Sequence, residues 1–129
     1  MPATTLADGC YYNMFYGCVA LKTTAVMKAT VVGRYSCQGM YNKCSGLTSI
    51  TPLLASTVAE GCYCYMFQLC PNITEAPELV STTLAAHCYR YMLDRCSKLN
   101  YIKMLAIDIS ADSCLGRFAY QPAASGVFV

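Results

Sequence analysis

Apolar positions recur at i, i+4 and i+8 in three short segments of the chain. Cys10, Met14 and Cys18 form the first set, Cys62, Met66 and Cys70 the second, and Cys88, Met92 and Cys96 the third. Residues so spaced lie along one side of a helix. The stripe predicts helices whose buried face carries two cysteines and a methionine, a face best explained as core because Met and Cys both favour burial. The clearest helix runs from Pro77 to Cys96. Pro sits early, Glu78 complements the first turn, and Val80, Leu84, His87, Cys88, Tyr91, Met92 and Cys96 recur at helical spacing. A counterpart is expected from about Thr23 to Cys44, and a further helix opens at Thr51-Pro52 and continues through Val58. The rival reading is β, because Tyr11–Tyr16 and Tyr63–Phe67 are rich in strand formers and also fit alternation. The pattern favours an all-α fold, with an α+β arrangement of Tyr-rich short strands as the alternative.

The chain also repeats itself. Ala7-Asp8-Gly9-Cys10, Ala59-Glu60-Gly61-Cys62 and Ala111-Asp112-Ser113-Cys114 fall 52 residues apart. Cys37…Cys44 matches Cys88…Cys96 with a one-residue slip, and Leu47–Leu53 then matches Leu99–Leu105 without a gap. The organisation expected is two copies of a 52-residue unit and the start of a third: residues 1–57, 58–110, and 111–129 with an apolar tail. Gly9 and Gly61 are candidate C′ glycines.

Composition sets the compartment. Ten cysteines in 129 residues point to an oxidising environment, with every one of them in a disulfide: Cys10, Cys18, Cys37, Cys44, Cys62, Cys64, Cys70, Cys88, Cys96 and Cys114. The simplest pairing puts two bonds in each unit, nested as Cys10–Cys44 and Cys18–Cys37 in the first, with Cys64–Cys114 as the fifth. Connectivity is not fixed by sequence. The sequon Asn72-Ile73-Thr74, between Pro71 and Pro77 in an expected exposed loop, can carry an N-glycan and agrees with a secreted, extracellular protein. Residues 1–9 do not have the form of a signal peptide. The longest uncharged internal run, between Lys43 and Glu60, is too short and polar for a membrane span.

Chemistry is sparse. The net charge is +2 and the nine Lys and Arg are scattered, so no nucleic-acid footprint forms. His87 is the only histidine and reads as a satisfied helix residue. Cys62 and Cys64 beside Cys70 lack the spacing of a zinc knuckle pair. No catalytic, cofactor or metal site is expected. The function expected is structural: a secreted subunit assembling head to tail into a homo-oligomer, filament or coat. A repeat begun but not finished leaves a stacking face open. Cys114, Phe118, Tyr120, Val127, Phe128 and Val129 are the candidate assembly residues, with the tail folded over its own core as the equal alternative. The other function class is a small disulfide-rich carrier of a lipid or other hydrophobic ligand.

Overall fold

Parallel pairing at a constant offset organises the chain. In a computed structural model describing residues 1–129, strand β1 (Thr5–Leu6) pairs with β2 (Val31–Val32), and β3 (Tyr101–Ile102) with β4 (Val127–Phe128). Both pairs are parallel and join residues 26 apart. Single bridges at Thr23–Ser49, Val31–Thr57 and Glu75–Tyr101 keep that offset. The chain is therefore a solenoid of five coils, each about 26 residues long, stacked at the ~4.7–4.9 Å spacing of hydrogen-bonded neighbours. Leu79–Met104 and Thr83–Asp108 pair one residue short, at an offset of 25.

The longest side of each coil is a run of turns, at residues 9–18, 35–44, 61–70, 87–96 and 113–121. Two sets of N–H groups alternate along it. In the first coil Cys10, Tyr12, Met14, Tyr16 and Cys18 donate three residues back, to Ala7, Gly9, Tyr11, Asn13 and Phe15, at 3.1–3.3 Å. Gly9, Tyr11, Asn13, Phe15 and Gly17 donate to the next coil, to Arg34, Ser36, Gln38, Met40 and Asn42, at 2.8–3.0 Å. The second, third and fourth coils repeat both sets, and the fifth repeats the first set at Cys114, Gly116 and Phe118. Every fourth residue reverses its backbone into the left-handed region: 9, 13 and 17 in the first coil, and the same three places in each of the others. Gly9, Gly17, Gly39 and Gly61 fill four of these fifteen places, and larger residues fill eleven, among them Tyr65, Leu69, Tyr91 and Arg95.

This geometry overturns the all-α expectation, and the α+β alternative with it: the protein has no helix. The stripe of Cys, Met and Cys is real, but its period is four, set by the left-handed residues. An α-helix has 3.6 residues per turn and requires negative φ throughout. His87 at φ 56°, Tyr91 at 55° and Arg95 at 59° break the helix expected over Pro77–Cys96. Tyr35 and Lys43 do the same within Thr23–Cys44, and residues 52–58 are non-helical, with a bend at Ser56 and a single bridge at Thr57. The Tyr-rich segments lie on the turn side, not in the four strands. Gly9 and Gly61 are left-handed, as C′ glycines would be, but they belong to turns.

The 52-residue unit is two coils. Pairing crosses its expected boundary at 57/58 through the bonds from the Tyr35 and Cys37 N–H groups to the Glu60 and Cys62 carbonyls, both 2.9 Å. Equivalent residues stack in columns, and the columns are the core. Met40, Met66 and Met92 are fully buried in one; Leu47, Ile73 and Leu99 in another; Cys44, Cys70 and Cys96 in a third. Phe15, Tyr41 and Phe67 stack ring on ring, with centroids 5.3 and 5.6 Å apart and planes within 12°, offset-parallel contacts that add to their area burial.

Candidate assembly surfaces

A coil in the interior of the stack has its inter-coil groups satisfied on both sides. The outer coils do not. In the first coil the carbonyls of Asp8, Cys10, Tyr12, Met14 and Tyr16 accept no backbone hydrogen bond, although the equivalent carbonyls of the second coil (Arg34, Ser36, Gln38, Met40, Asn42) all do. In the fifth coil the N–H groups of Ser113, Leu115, Arg117, Ala119 and Gln121 make none, although their equivalents His87, Tyr89, Tyr91, Leu93 and Arg95 all donate. One edge thus presents five acceptors and the other five donors, in the spacing that joins every interior pair of coils. Open edges of this kind template further pairing.

Side chains follow the backbone. Met14 is 52 % exposed, whereas Met40, Met66 and Met92 in its column are at most 1 % exposed. Cys10 and Cys18 are exposed while their column mates Cys62, Cys88, Cys44, Cys70 and Cys96 are buried. At the other edge, Cys114 and Phe118 are buried in the chain's own core. Of the six residues expected to drive assembly, these two are therefore internal, and Tyr120, Val127, Phe128 and Val129 stay about half exposed. The tail does not extend as an arm. Its β4 closes on β3, and the Val129 N–H donates to Ile102 O at 2.8 Å.

All ten cysteines are free thiols, so neither the nested bonds Cys10–Cys44 and Cys18–Cys37 nor a Cys64–Cys114 bond is formed. The columns explain why. Cys10, Cys62, Cys88 and Cys114 share one column, Cys18, Cys44, Cys70 and Cys96 another, and Cys37 stands with Tyr63 and Tyr89. Cysteines of different columns sit at different places around the coil instead of facing each other. The Cys44, Cys70 and Cys96 thiols instead donate to the carbonyls of Phe15, Tyr41 and Phe67 one coil back, at 3.0–3.1 Å. Burial pushes the Cys37, Cys88 and Cys96 thiols up to about 12 and Cys64 up to about 11, with Cys62 and Cys70 also raised by burial. Such thiols are poor nucleophiles.

Polar side chains also ladder along the stack. Arg34 donates to Glu60, Lys103 pairs with Glu78 at 3.0 Å, and Asn42 donates to Gln68, which donates to Asp94 at 2.9 Å. Arg117 approaches the buried Asp94 at 3.4 Å. His87 occupies a left-handed position. Its Nε2 lies 3.6 Å from Asp112, and its buried Nδ1 has no partner, so it is neither helical nor fully satisfied. No group of three His, Cys, Asp or Glu side chains converges as a metal site.

Asn72 is half-buried rather than in an exposed loop, and Ile73 beside it is fully buried. The Asn72 Nδ2 donates to Ser45 O at 2.7 Å, and its Oδ1 accepts from Lys98 at 2.9 Å. Three surface hollows are present, the largest, of about 290 Å³, beside β4, and all three are open. No helix is long and apolar enough to cross a membrane. No protein-family description, curated protein or solved structure matches this chain.

Proposed function

We propose that the chain is a structural module that stacks head to tail on copies of itself, its fifth coil against the first coil of the next. The observation that carries this reading is the complementarity of the two open edges. Continuing the interior register, Ser113, Leu115, Arg117, Ala119 and Gln121 would donate to Asp8, Cys10, Tyr12, Met14 and Tyr16 of a second copy. The columns would continue too: Met14 would meet Phe118, and Tyr16 would meet Tyr120. A heterologous contact of this kind does not close on itself and builds a filament. One column opposes it, because Asp8 would stack on Asp112; added salt should therefore lengthen the polymers.

An extracellular setting belongs to the same proposal and rests on the Asn72 sequon, since ten free thiols remove the disulfide argument for it. A glycan on Asn72 Nδ2 would have to be installed before the second and third coils close over Ser45 O. The carrier alternative gains no support from an interior filled by stacked side chains.

The test is light scattering coupled to size exclusion, with the Met14→Lys variant and a Thr82→Lys control on the coil's flank. Mass rising with concentration in the wild type and the control, and a monomer for Met14→Lys, supports stacking. A wild-type monomer near 14 kDa at every concentration and salt overturns it.

A further inference from the structure

The outward column that begins at Asn13 is interrupted. Tyr65 and Tyr91 stack in it with centroids 4.8 Å apart and planes within 8°, and Arg117 covers the far face of Tyr91 at 5.3 Å. On the near side, the next place is Gly39. The ring of Tyr65 therefore has a face with no aromatic neighbour, and a hollow of about 240 Å³ opens in front of it. The Asn13 carboxamide folds over Gly39 where a Cβ would stand and makes part of the floor. Tyr12 and Tyr16 of the first coil form the opposite wall.

The remaining lining is all amide: Gln38, Asn42 and Gln68. Each carboxamide supplies both donors and an acceptor. The buried Asn42 Oδ1 has no partner, although its Nδ2 is committed to Gln68 at 3.2 Å. No charged side chain lines the hollow, which selects against phosphate, carboxylate and ammonium ligands. Aromatic faces that take up flat apolar surface, together with amides that both give and accept, match a sugar ring, whose C–H face is apolar and whose hydroxyls each donate and accept. The space suits one ring, being smaller than the ~300–1,000 Å³ of sites for drug-sized ligands.

We propose that this hollow binds a neutral saccharide, one pyranose ring lying on the free face of Tyr65 with its hydroxyls on Gln38, Asn42 and Gln68. The hollow opens on the side of the stack, and because Tyr12 and Tyr16 in its wall also belong to the first coil's open edge, binding is measured on the dilute, unstacked chain.

The experiment is an NMR titration of the ¹⁵N-labelled chain, following the side-chain amides of Gln38, Asn42 and Gln68. The probes are the methyl glycosides of glucose, galactose and N-acetylglucosamine, with N-acetyl-tyrosinamide as an aromatic that is not a sugar. Expected is saturable movement of those signals with at least one glycoside, weakened roughly 3- to 10-fold by Tyr65→Ala, the scale of one lost ring contact. Tyr12→Ala, at an exposed wall position that the core does not need, should weaken it similarly. No saturable movement with any glycoside, tighter binding of N-acetyl-tyrosinamide, or binding unchanged in Tyr12→Ala would each overturn the assignment.

Discussion

Arg95 tests the turn geometry through the sign of a stability change. It is exposed, holds φ at 59°, and its N–H donates to Tyr120 O at 2.7 Å, a bond that any non-proline substitution keeps. An L-residue in the left-handed region costs ~1–2 kcal/mol, because Cβ crowds the following carbonyl. Glycine at 95 removes that cost but adds ~0.5–1 kcal/mol of freedom to the unfolded chain, leaving a net gain of up to about 1 kcal/mol. Valine is worse than arginine there, since a β-branched residue at positive φ is a true outlier, and should lose a further ~1 kcal/mol or more. Glycine should therefore exceed valine by about 2 kcal/mol. Thr82 is also exposed but is not left-handed, so there the order reverses and valine should exceed glycine by ~0.5–1 kcal/mol. Urea midpoints of the four variants, compared at unchanged m, read both differences. Valine more stable than glycine at both sites would refute the reasoning, and it is also what a helix over Pro77–Cys96 would give, since glycine costs ~1 kcal/mol in a helix interior.

Thiol labelling with a chromogenic disulfide at pH 8 should modify Cys10 and Cys18 promptly in the folded chain and all ten cysteines in denaturant. Cys37, Cys88 and Cys96, with thiols near 12, hold ~10³-fold less thiolate than an unperturbed cysteine, so their prompt labelling in the folded state would contradict the stack. Raising the pH should destabilise the fold. These thiols ionise later folded than unfolded, so the unfolded state binds fewer protons between about pH 9 and 12, and stability present below pH 9 is lost across that window. At pH 10 each contributes a loss of ~1.4 kcal/mol, and a flat stability profile by urea titration from pH 8 to 11 would count against it. Gly46→Ala should lose ~1–3 kcal/mol, because its Cβ would land on the Val19 carbonyl one coil back; a thermal midpoint equal to the wild type would show that the coils are not so closely stacked there.

The coil was written into the sequence at a finer period than the unit that first stands out. The Cys-x3-Met-x3-Cys pattern recurs from Cys62 to Cys88, which is 26 residues, and its strict spacing of four differs from the mixed threes and fours that a 3.6-residue helix produces. The 52-residue period is more conspicuous because charge alternates up one column. Asp8, Glu60 and Asp112 share it with Arg34 and Ala86, and Arg34 donates to Glu60 between them, so every second coil looks alike. Cys37 blurred the shorter period, since it stands one place beyond Ser36, the residue equivalent to Cys10 and Cys62. Gly9 and Gly61 were legible as left-handed places, but the eleven non-glycine ones were not, as Tyr, Leu, His and Arg give no sign of positive φ. The thiols misled for a related reason. Ten cysteines imply pairing when residues are taken to face one another across elements, whereas a solenoid sets like residues behind one another. Open stacking faces were expected at the ends of the repeat; unpaired backbone rows stand at both outer coils, while Cys114 and Phe118, expected at such a face, are buried.

Amide hydrogen exchange at residues 113–121, followed as protein concentration rises, tests the stacking of open edges most directly. Cys114, Gly116 and Phe118 donate within their own coil and should be protected at every concentration, whereas Leu115, Arg117, Ala119 and Gln121 should exchange freely when dilute and become protected as copies stack. Free exchange of those four amides at all concentrations, with the interior coils protected throughout, would mean that the edges do not join.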